Sequence, residues 1–483
     1  MRTCIVWLRN DLRLRDNPAL YQAAREFDEV VPVFIWAPEE ERAWKPGGAQ
    51  CWWLHHSLHS LKQDLESKGS RLIIRSGEGA PTLTALAEET GATSVFWNRR
   101  HVPALDTRDA NIAEELERLN IETGSFEGRL LHDPDAIETT SGGPYHVYTP
   151  FWRKFNKLLD ETLAATPPLP AADLKDRAPA SWPESSAISA LGLLPEARDG
   201  TDWAAGLRRM WTPGEEAGHT RLAHFLDELV DDYDTARDRP DLDGTSRLSP
   251  YLHHGELSPR QVWNAVQETS NGSLGEGAET FLKEIVWREF SYHLLHHYPE
   301  TTTNPLKDKF ANFPWEEDAD ALARWQQGRT GYPIIDAGMR QLYEVGWMHN
   351  RVRMIVASFL TKDLLIPWQH GARWFWDTLV DGDLASNTMG WQWAAGCGAD
   401  AQPFFRIFNP VTQGQRHDPD GAYVKRYVPE LADLPVEHLH APWEAPAEVL
   451  RNANVKLGDT YPEPVVDHSE AREQALEAYE RIK

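Results

Sequence analysis

Only three cysteines occur in 483 residues, and Cys4, Cys51 and Cys397 have no metal-ligand spacing. That argues against a disulfide framework, a thiolate zinc site and a four-cysteine iron–sulfur cluster. No apolar run reaches the length of a bilayer span. The opening MRTCIVWLRNDLRLRD reads as a strand followed by charges, not as a signal peptide, so a cytoplasmic location is expected. Positive charge is scarce as well: 49 Lys and Arg face 74 Asp and Glu, a formal net charge of -25. Nucleic-acid affinity rests on cations at phosphates, so this balance speaks against such a partner without excluding one. Acids gather at Glu39–Glu41, Glu114–Glu117 and Asp227–Asp234. Stretches with Arg351, Arg353, Lys362, Arg406, Arg416, Lys425 and Arg426 are locally basic, which leaves room for a small basic face.

What is present begins with alternating strand and helix signals. Thr3–Leu8, Val30–Trp36, Arg71–Arg75, Thr93–Trp97 and Glu122–Phe126 read as strands, with helices such as Trp52–Lys68 and Thr82–Thr90 between them. The pattern predicts a doubly wound, parallel-sheet α/β domain (Rossmann-like) over residues 1–130. It has no GxGxxG after its first strand. Residues 131–200 are expected to be an interdomain linker, rich in Pro, Ala and Ser from Ala164 to Gly200. Residues 201–483 read as one all-helical domain, with helices over Thr220–Asp232, Pro259–Glu268, Ala278–His296, Ile335–Tyr343, Arg351–Lys362 and Ala372–Leu379.

The helical part carries the chemistry. DGTSRLSPYLHHGELSPR (Asp243–Arg260) is a polar loop leading into a helix, suited to a phosphate, although most such starts merely cap themselves. In FLKEIVWREFSYHLL, Glu284 and Trp287 share a helix face, and Arg288 stands four from Glu284, the spacing of an ordinary ion pair. GWMHNRVRMIVASFL sets Asn350 and Met354 on one face. DGDLASNTMGWQW puts two acids at a helix start, then Asn387 and Trp391 on one face, with Trp393 turned elsewhere. The 21 Trp are individually core residues first. The pairs His253–His254 and His296–His297 have no thiolate partner or metal motif around them and read as ordinary histidines, so no metal is expected.

WLRNDLRLRDNPAL, DGTSRLSPYL, WREF, GYPIIDAGMRQL, GWMHNRVRM, DGDLASN, GWQW and FRIFNPVTQG together resemble the photolyase/cryptochrome family over nearly the whole chain. The resemblance implies an α/β antenna domain joined to a helical domain holding FAD. It implies that Tyr233 and the run Thr245, Ser246, Arg247, Leu248 and Ser249 hold the FAD phosphates, with Arg288 nearby. Asp381, paired with Arg353, and Asp383 would lie beside the flavin, and Asn387 would face its N5. Glu284, Trp287, Asn350, Met354 and Trp393 would line a pocket for a flipped-out cyclobutane pyrimidine dimer. Arg237, Arg351 and Arg406 would approach DNA phosphates. Trp391, Trp368 (after a helix end marked by Pro367) and Trp315 (near solvent) would form the chain that reduces the flavin by light.

The activity implied is light-dependent dimer repair, in which excited reduced FAD donates an electron to the lesion and splits it. UV-damaged DNA would be the partner and the protein a monomer. Plant-type cryptochromes place Asp where this chain has Asn387, and most extend well beyond the helix HSEAREQALEAYERIK. Six-four photolyases rely on a pocket histidine and lack the Asn350/Met354 pair. FIWAPEEE and WWLHHSL lean towards the bacterial class nearest to plant cryptochromes. VFWNRRHVPALDTRD lacks the Tyr-Glu pair of well-known folate binders, yet methenyltetrahydrofolate stays favoured as the antenna chromophore, with a deazaflavin second and no antenna third. Trp52, Trp53 and His55 read as packing. The alternatives are a FAD-binding light sensor without repair activity and, more remotely, a dark flavin oxidoreductase.

Overall fold

A computed structural model describes residues 1–162, 167–194, 200, 202–269 and 273–483. β1 (Thr3–Leu8), β2 (Glu29–Trp36), β3 (Ile73–Ser76), β4 (Ser94–Asn98) and β5 (Glu122–Phe126) form one parallel sheet in the order β3-β2-β1-β4-β5. Each lies within two residues of the strand expected there. β1 is buried throughout. Its Cys4, Val6 and Leu8 pack with Leu54 and Leu58 of the Gly48–Ser67 helix, while Ile5 and Trp7 pack with Leu83, Leu86 and Ile112 on the other face. Side chains alternate across a strand, and helices on both faces of a parallel sheet bury both sets.

The stretch 131–200 is more than a tether. Tyr148–Thr162 is a helix whose Phe151 and Phe155 enter the core of the helical part. Leu174, Ile188, Leu191 and Leu193 pack beneath the sheet. Backbone bonds from Val30 N to Arg177 O (2.8 Å) and Ser186 N to Ile74 O (3.0 Å) fasten it there. Its prolines supply no donors, but its carbonyls and apolar side chains remain available, and composition alone hides this. Ala164, residues 195–199 and Thr201, which bear on the expected boundaries, lie outside the described residues.

Among the described residues, the elements from Ala205 onward are helices. No helix is long and apolar enough to cross a membrane. The expected Arg351–Lys362 helix is α-helical over Asn350–Ser358 and widens into a π turn over Phe359–Asp363. Lys362 is buried there, its ammonium donating to Arg406 O (3.1 Å), so it belongs to no basic surface. Pro367 caps the start of the Trp368–Thr378 helix instead of marking an end.

Buried polar contacts join the two parts. Arg260 and Ser258 bind Asp16 (2.6 and 2.5 Å), and Arg13 donates to Gly255 O (2.9 Å). Glu256, fully buried, accepts from Trp53 Nε1 (3.0 Å) and Gly214 N (2.6 Å), and burial pushes its carboxyl up to about 8. The folded chain thus holds a proton that the unfolded chain loses near the ordinary value of 4.5. The stability from this group is complete below that value and is lost as pH rises through 8. The melting temperature of the parent minus that of Glu256→Gln should therefore fall between about pH 5 and about pH 9. Thermal unfolding of both proteins across that range checks it, and a pH-independent difference would contradict the assignment.

Candidate functional site

A cavity of about 490 Å³ opens among the Glu276–His297, Asn350–Ser358 and Leu384–Ala395 helices. Glu284, Trp287 and Arg288 reach it from the first, and Asn350, Arg351, Arg353 and Met354 from the second. Asn387, Trp391 and Trp393 reach it from the third, with Asp381 and Asp383 at that helix's start. The helical spacings bring these groups together as neighbours three or four apart. Trp393 is the exception: expected to turn elsewhere, it lines the same cavity, which follows the helix round.

Glu284 does not pair with Arg288. Its carboxylate accepts from Arg237 (2.6 Å), while burial raises its pKa and Arg237 opposes that rise. Arg288 donates instead to Arg129 O (3.0 Å), and its Nη2 is buried without a partner. Arg351 binds Asp238 through two nitrogens (2.7 and 3.1 Å). Arg353 grips both oxygens of Asp381 (2.8 and 3.1 Å) and reaches Met348 O.

Asp383 caps the Leu384–Ala395 helix by accepting from Ser386 N (2.9 Å). Its other oxygen accepts from Arg129 (3.2 Å) and the Tyr292 hydroxyl. Burial by itself raises its pKa, but His253, Arg129 and Arg288 outweigh burial and hold it well below the usual carboxylate range. His253 Nδ1, at 3.9 Å, is too distant for a hydrogen bond. The arginine and the tyrosine therefore carry the contact.

These residues fit FAD. Arg288 Nη2 in the cavity wall and Arg247 Nε are buried donors without partners, suited to phosphates. Asn387 donates its amide nitrogen to Ala372 O (2.9 Å), which leaves its Oδ1 as the free polar atom at the wall. Gly390 also lines the cavity, and an added Cβ would meet nothing within 4 Å. Of the polar loop only Ser249 reaches the wall. Thr245 and Ser246 lend their carbonyls to Arg221 (2.7 and 2.8 Å), Arg247 pairs with Asp243 (3.0 Å), and Leu248 is core. Tyr233 is buried against Phe225 and Phe281, off the cavity. Arg406 is exposed, also off it, and has no ion pair among the described residues.

Trp287 lies flat on Tyr148, with centroids 3.6 Å apart and planes at 6°, so one of its faces is already covered. Trp391 packs edge-on to Phe375 (5.0 Å) and Trp325 (6.1 Å). Trp368 is buried in the same core, and Trp315 packs half-buried against it beside Phe313 (4.4 Å). Sequence reasoning missed Arg129, Tyr148 and Tyr292. Only YHLL, following WREF, signals any of them, since Tyr292 stands four beyond Arg288.

Residues 4–172 match the family described as DNA photolyase, and residues 281–481 match the FAD binding domain of DNA photolyase. A deoxyribodipyrimidine photo-lyase of Agrobacterium fabrum is 49% identical over 479 residues, 99% of this chain and 98% of that protein. Cryptochrome-2 of Arabidopsis thaliana is 39% identical over 99% of this chain and 79% of its own length. The crystal structure of a bacterial class III photolyase from Agrobacterium tumefaciens has a TM-score of 0.95 at 48% identity, covering 100% of this chain and 98% of that one.

Asp383→Asn should destabilise the protein by about 3–5 kcal/mol, because it leaves Arg129 buried without its counter-charge. Denaturant unfolding of the full chain measures this. A loss below about 1 kcal/mol would mean that the pair contributes no more than a surface one.

Proposed function

The chain belongs to the photolyase/cryptochrome family, and from that membership we propose that it is a light-dependent deoxyribodipyrimidine photo-lyase acting on cyclobutane pyrimidine dimers in DNA. The observation that carries this reading is one cavity lined together by Glu284, Trp287, Asn350, Met354 and Trp393 on the lesion side and by Arg288, Asp381 and Asn387 on the FAD side. Excited in its reduced form, bound FAD supplies the electron that splits the dimer and takes it back afterwards.

The chain's own residues do the rest. Enzymes that work on a base within a duplex, photolyases included, extrude it, and a poorly stacked lesion is the cheapest to flip. Trp287, backed by Tyr148, and Trp393 offer flat walls for the extruded pyrimidines. Glu284, its carboxyl raised by burial, can hold a proton and hydrogen-bond the charge that develops on the lesion. Arg288, Ser249 and Arg247 would hold phosphate, whereas Thr245, Ser246, Leu248 and Tyr233 lie off the cavity. Arg353, fixed by Asp381, and Asn387, whose Oδ1 is free, would hold the flavin. Arg237 and Arg351 at the cavity and Arg406 outside it bind DNA phosphates. Trp391, Trp368 and Trp315 pass electrons inward from the surface.

For an antenna chromophore, methenyltetrahydrofolate is the first reading, a deazaflavin the second and none the third. A second cavity, at about 80 Å³, is too small to enclose a whole folate, and its Arg9, Arg100 and Arg108 already face Asp109, Glu41 and Glu40. Trp52 and Trp53 are core. The 49% identity with the Agrobacterium photo-lyase, against 39% with the Arabidopsis cryptochrome, and Asn387 in place of the cryptochrome Asp favour repair over a sensor without it. Similarity to the class III structure supports the bacterial class nearest to plant cryptochromes. We read the protein as a cytoplasmic monomer.

Blue-light splitting of a thymine-dimer oligonucleotide tests this. Glu284→Ala should lower the splitting yield more than it weakens binding. Trp287→Ala should cost roughly 1–3 kcal/mol of lesion binding, the range for one lost stack. If light splits no dimer, the sensor reading replaces this one. Trp315→Phe should abolish sustained photoreduction while chemically pre-reduced protein still repairs. Photoreduction at the parent rate would remove Trp315 from the route.

A further inference from the structure

The Glu276–His297 helix continues past the large cavity and ends in two adjacent histidines, His296 and His297. The short 3-10 turn Pro134–Ala136 packs against this end and brings in an acid from 161 positions away. Asp135 Oδ1 lies 2.8 Å from His296 Nε2. One ligand atom each of Asp135, His296 and His297 lies within 4.8 Å of the other two. His297 Nε2 is shielded from solvent and has no hydrogen-bond partner. A buried ring nitrogen left over in this way needs an account.

Neighbouring groups hold the arrangement without competing for it. His293, one turn earlier, sets Nδ1 3.3 Å from Pro134 O and accepts from Tyr145 N (3.0 Å) at Nε2. Both of its nitrogens are therefore engaged, and it locks the turn to the helix. The helix C-terminus, negative end of the peptide dipoles, favours a cation beside it.

The geometry points to a binding site for one divalent transition-metal ion of the zinc type, with Asp135, His296 and His297 as ligands. Two imidazoles and a carboxylate leave a position for water on a four-coordinate ion. The nitrogen-rich set favours Zn²⁺, Ni²⁺ or Cu²⁺ over Mg²⁺ or Ca²⁺. Tetrahedral bonds of about 2.0–2.2 Å set ligand atoms roughly 3.4 Å apart, so the Asp135–His296 pair at 2.8 Å must open slightly and the longer separations, up to 4.8 Å, must shorten. The partly exposed side chains of Asp135 and His296 have room to do so. The ion replaces the Asp135–His296 hydrogen bond and clamps the start of the interdomain stretch to the helix that carries Glu284 and Trp287.

The test uses untagged, full-length, flavin-loaded protein, stripped by a chelator and dialysed to equilibrium against Zn²⁺. One saturable equivalent per chain and a higher melting temperature are expected, with no competition from Mg²⁺. His296→Ala and His297→Ala should each weaken binding by more than the roughly 10–100-fold that loss of an outer partner costs. Asp135→Asn, which keeps the shape and removes the charge, should weaken it too, and unchanged flavin absorption shows that each variant is folded. Absence of a saturable equivalent, or full binding retained by His297→Ala or Asp135→Asn, would overturn the site.

Discussion

The carboxylate of Asp383 is the point on which the active end of the molecule hangs. It starts one helix through Ser386, takes the Tyr292 hydroxyl from a second, and holds Arg129 from the stretch after the sheet. Arg129 in turn donates to the carbonyls of Asn10 and His253 (3.2 and 3.0 Å), one in each half of the chain. Taking such charges out of water costs several kcal/mol per ion unless the geometry is well satisfied. Here Ser386 N, the Tyr292 hydroxyl and Arg129 converge on one carboxylate, so the pair selects one arrangement of the parts. The aim of Asn387, Trp391 and Trp393 depends on the rotation of the helix that Asp383 starts.

Much of this was readable before any coordinates. The inner strands β1, β2 and β4 show because burial on both faces demands continuous apolar runs, a local signal. The walls of the cavity show because helical spacing sets Glu284 with Trp287, Asn350 with Met354, and Asn387 with Trp391. What stays hidden is whatever joins residues far apart in sequence. Nothing near Glu284 announces Arg237 as its partner, and local spacing offered Arg288 instead. Tyr148 and Asp135 stand in the stretch expected to be linker, and Arg129 stands just before it at the end of the expected sheet domain. Lys362 looks like a surface charge until the π turn carries it inside. Polar loops mislead for the opposite reason: Thr245 and Ser246 spend their carbonyls on Arg221, and only Ser249 reaches the cavity.

The negative net charge acquires a physical meaning at the cavity. Arg237, Arg351 and Arg353 each face a carboxylate, Glu284, Asp238 and Asp381. A phosphate approaching Arg237 or Arg351 must compete with an acid already in place. Undamaged DNA offers only phosphates, screened by salt and repelled by an acidic body. A lesion adds what undamaged DNA lacks, an extruded apolar dimer to stack on Trp287. Discrimination then comes from weakening the general term, and the stacking contact carries a larger share of the total.

The proposed route for electrons depends on a residue with no side chain. An added Cβ at Gly371 would come within 2.1 Å of the Trp391 ring, so the indole lies directly on the backbone of the Trp368–Thr378 helix. Gly371 is three positions beyond Trp368, one turn along that helix. Any larger residue would push Trp391 away from the turn that carries Trp368, and with it from the cavity wall it also forms. Trp391 Nε1 is buried without a hydrogen-bond partner, so close packing fixes that ring, and Trp368 is buried in the same core. Only Trp315, packed against Phe313 at the margin of that core, is near enough to solvent to meet an external reductant. The order buried, buried, half-exposed follows from packing, and it gives the chain of rings its direction.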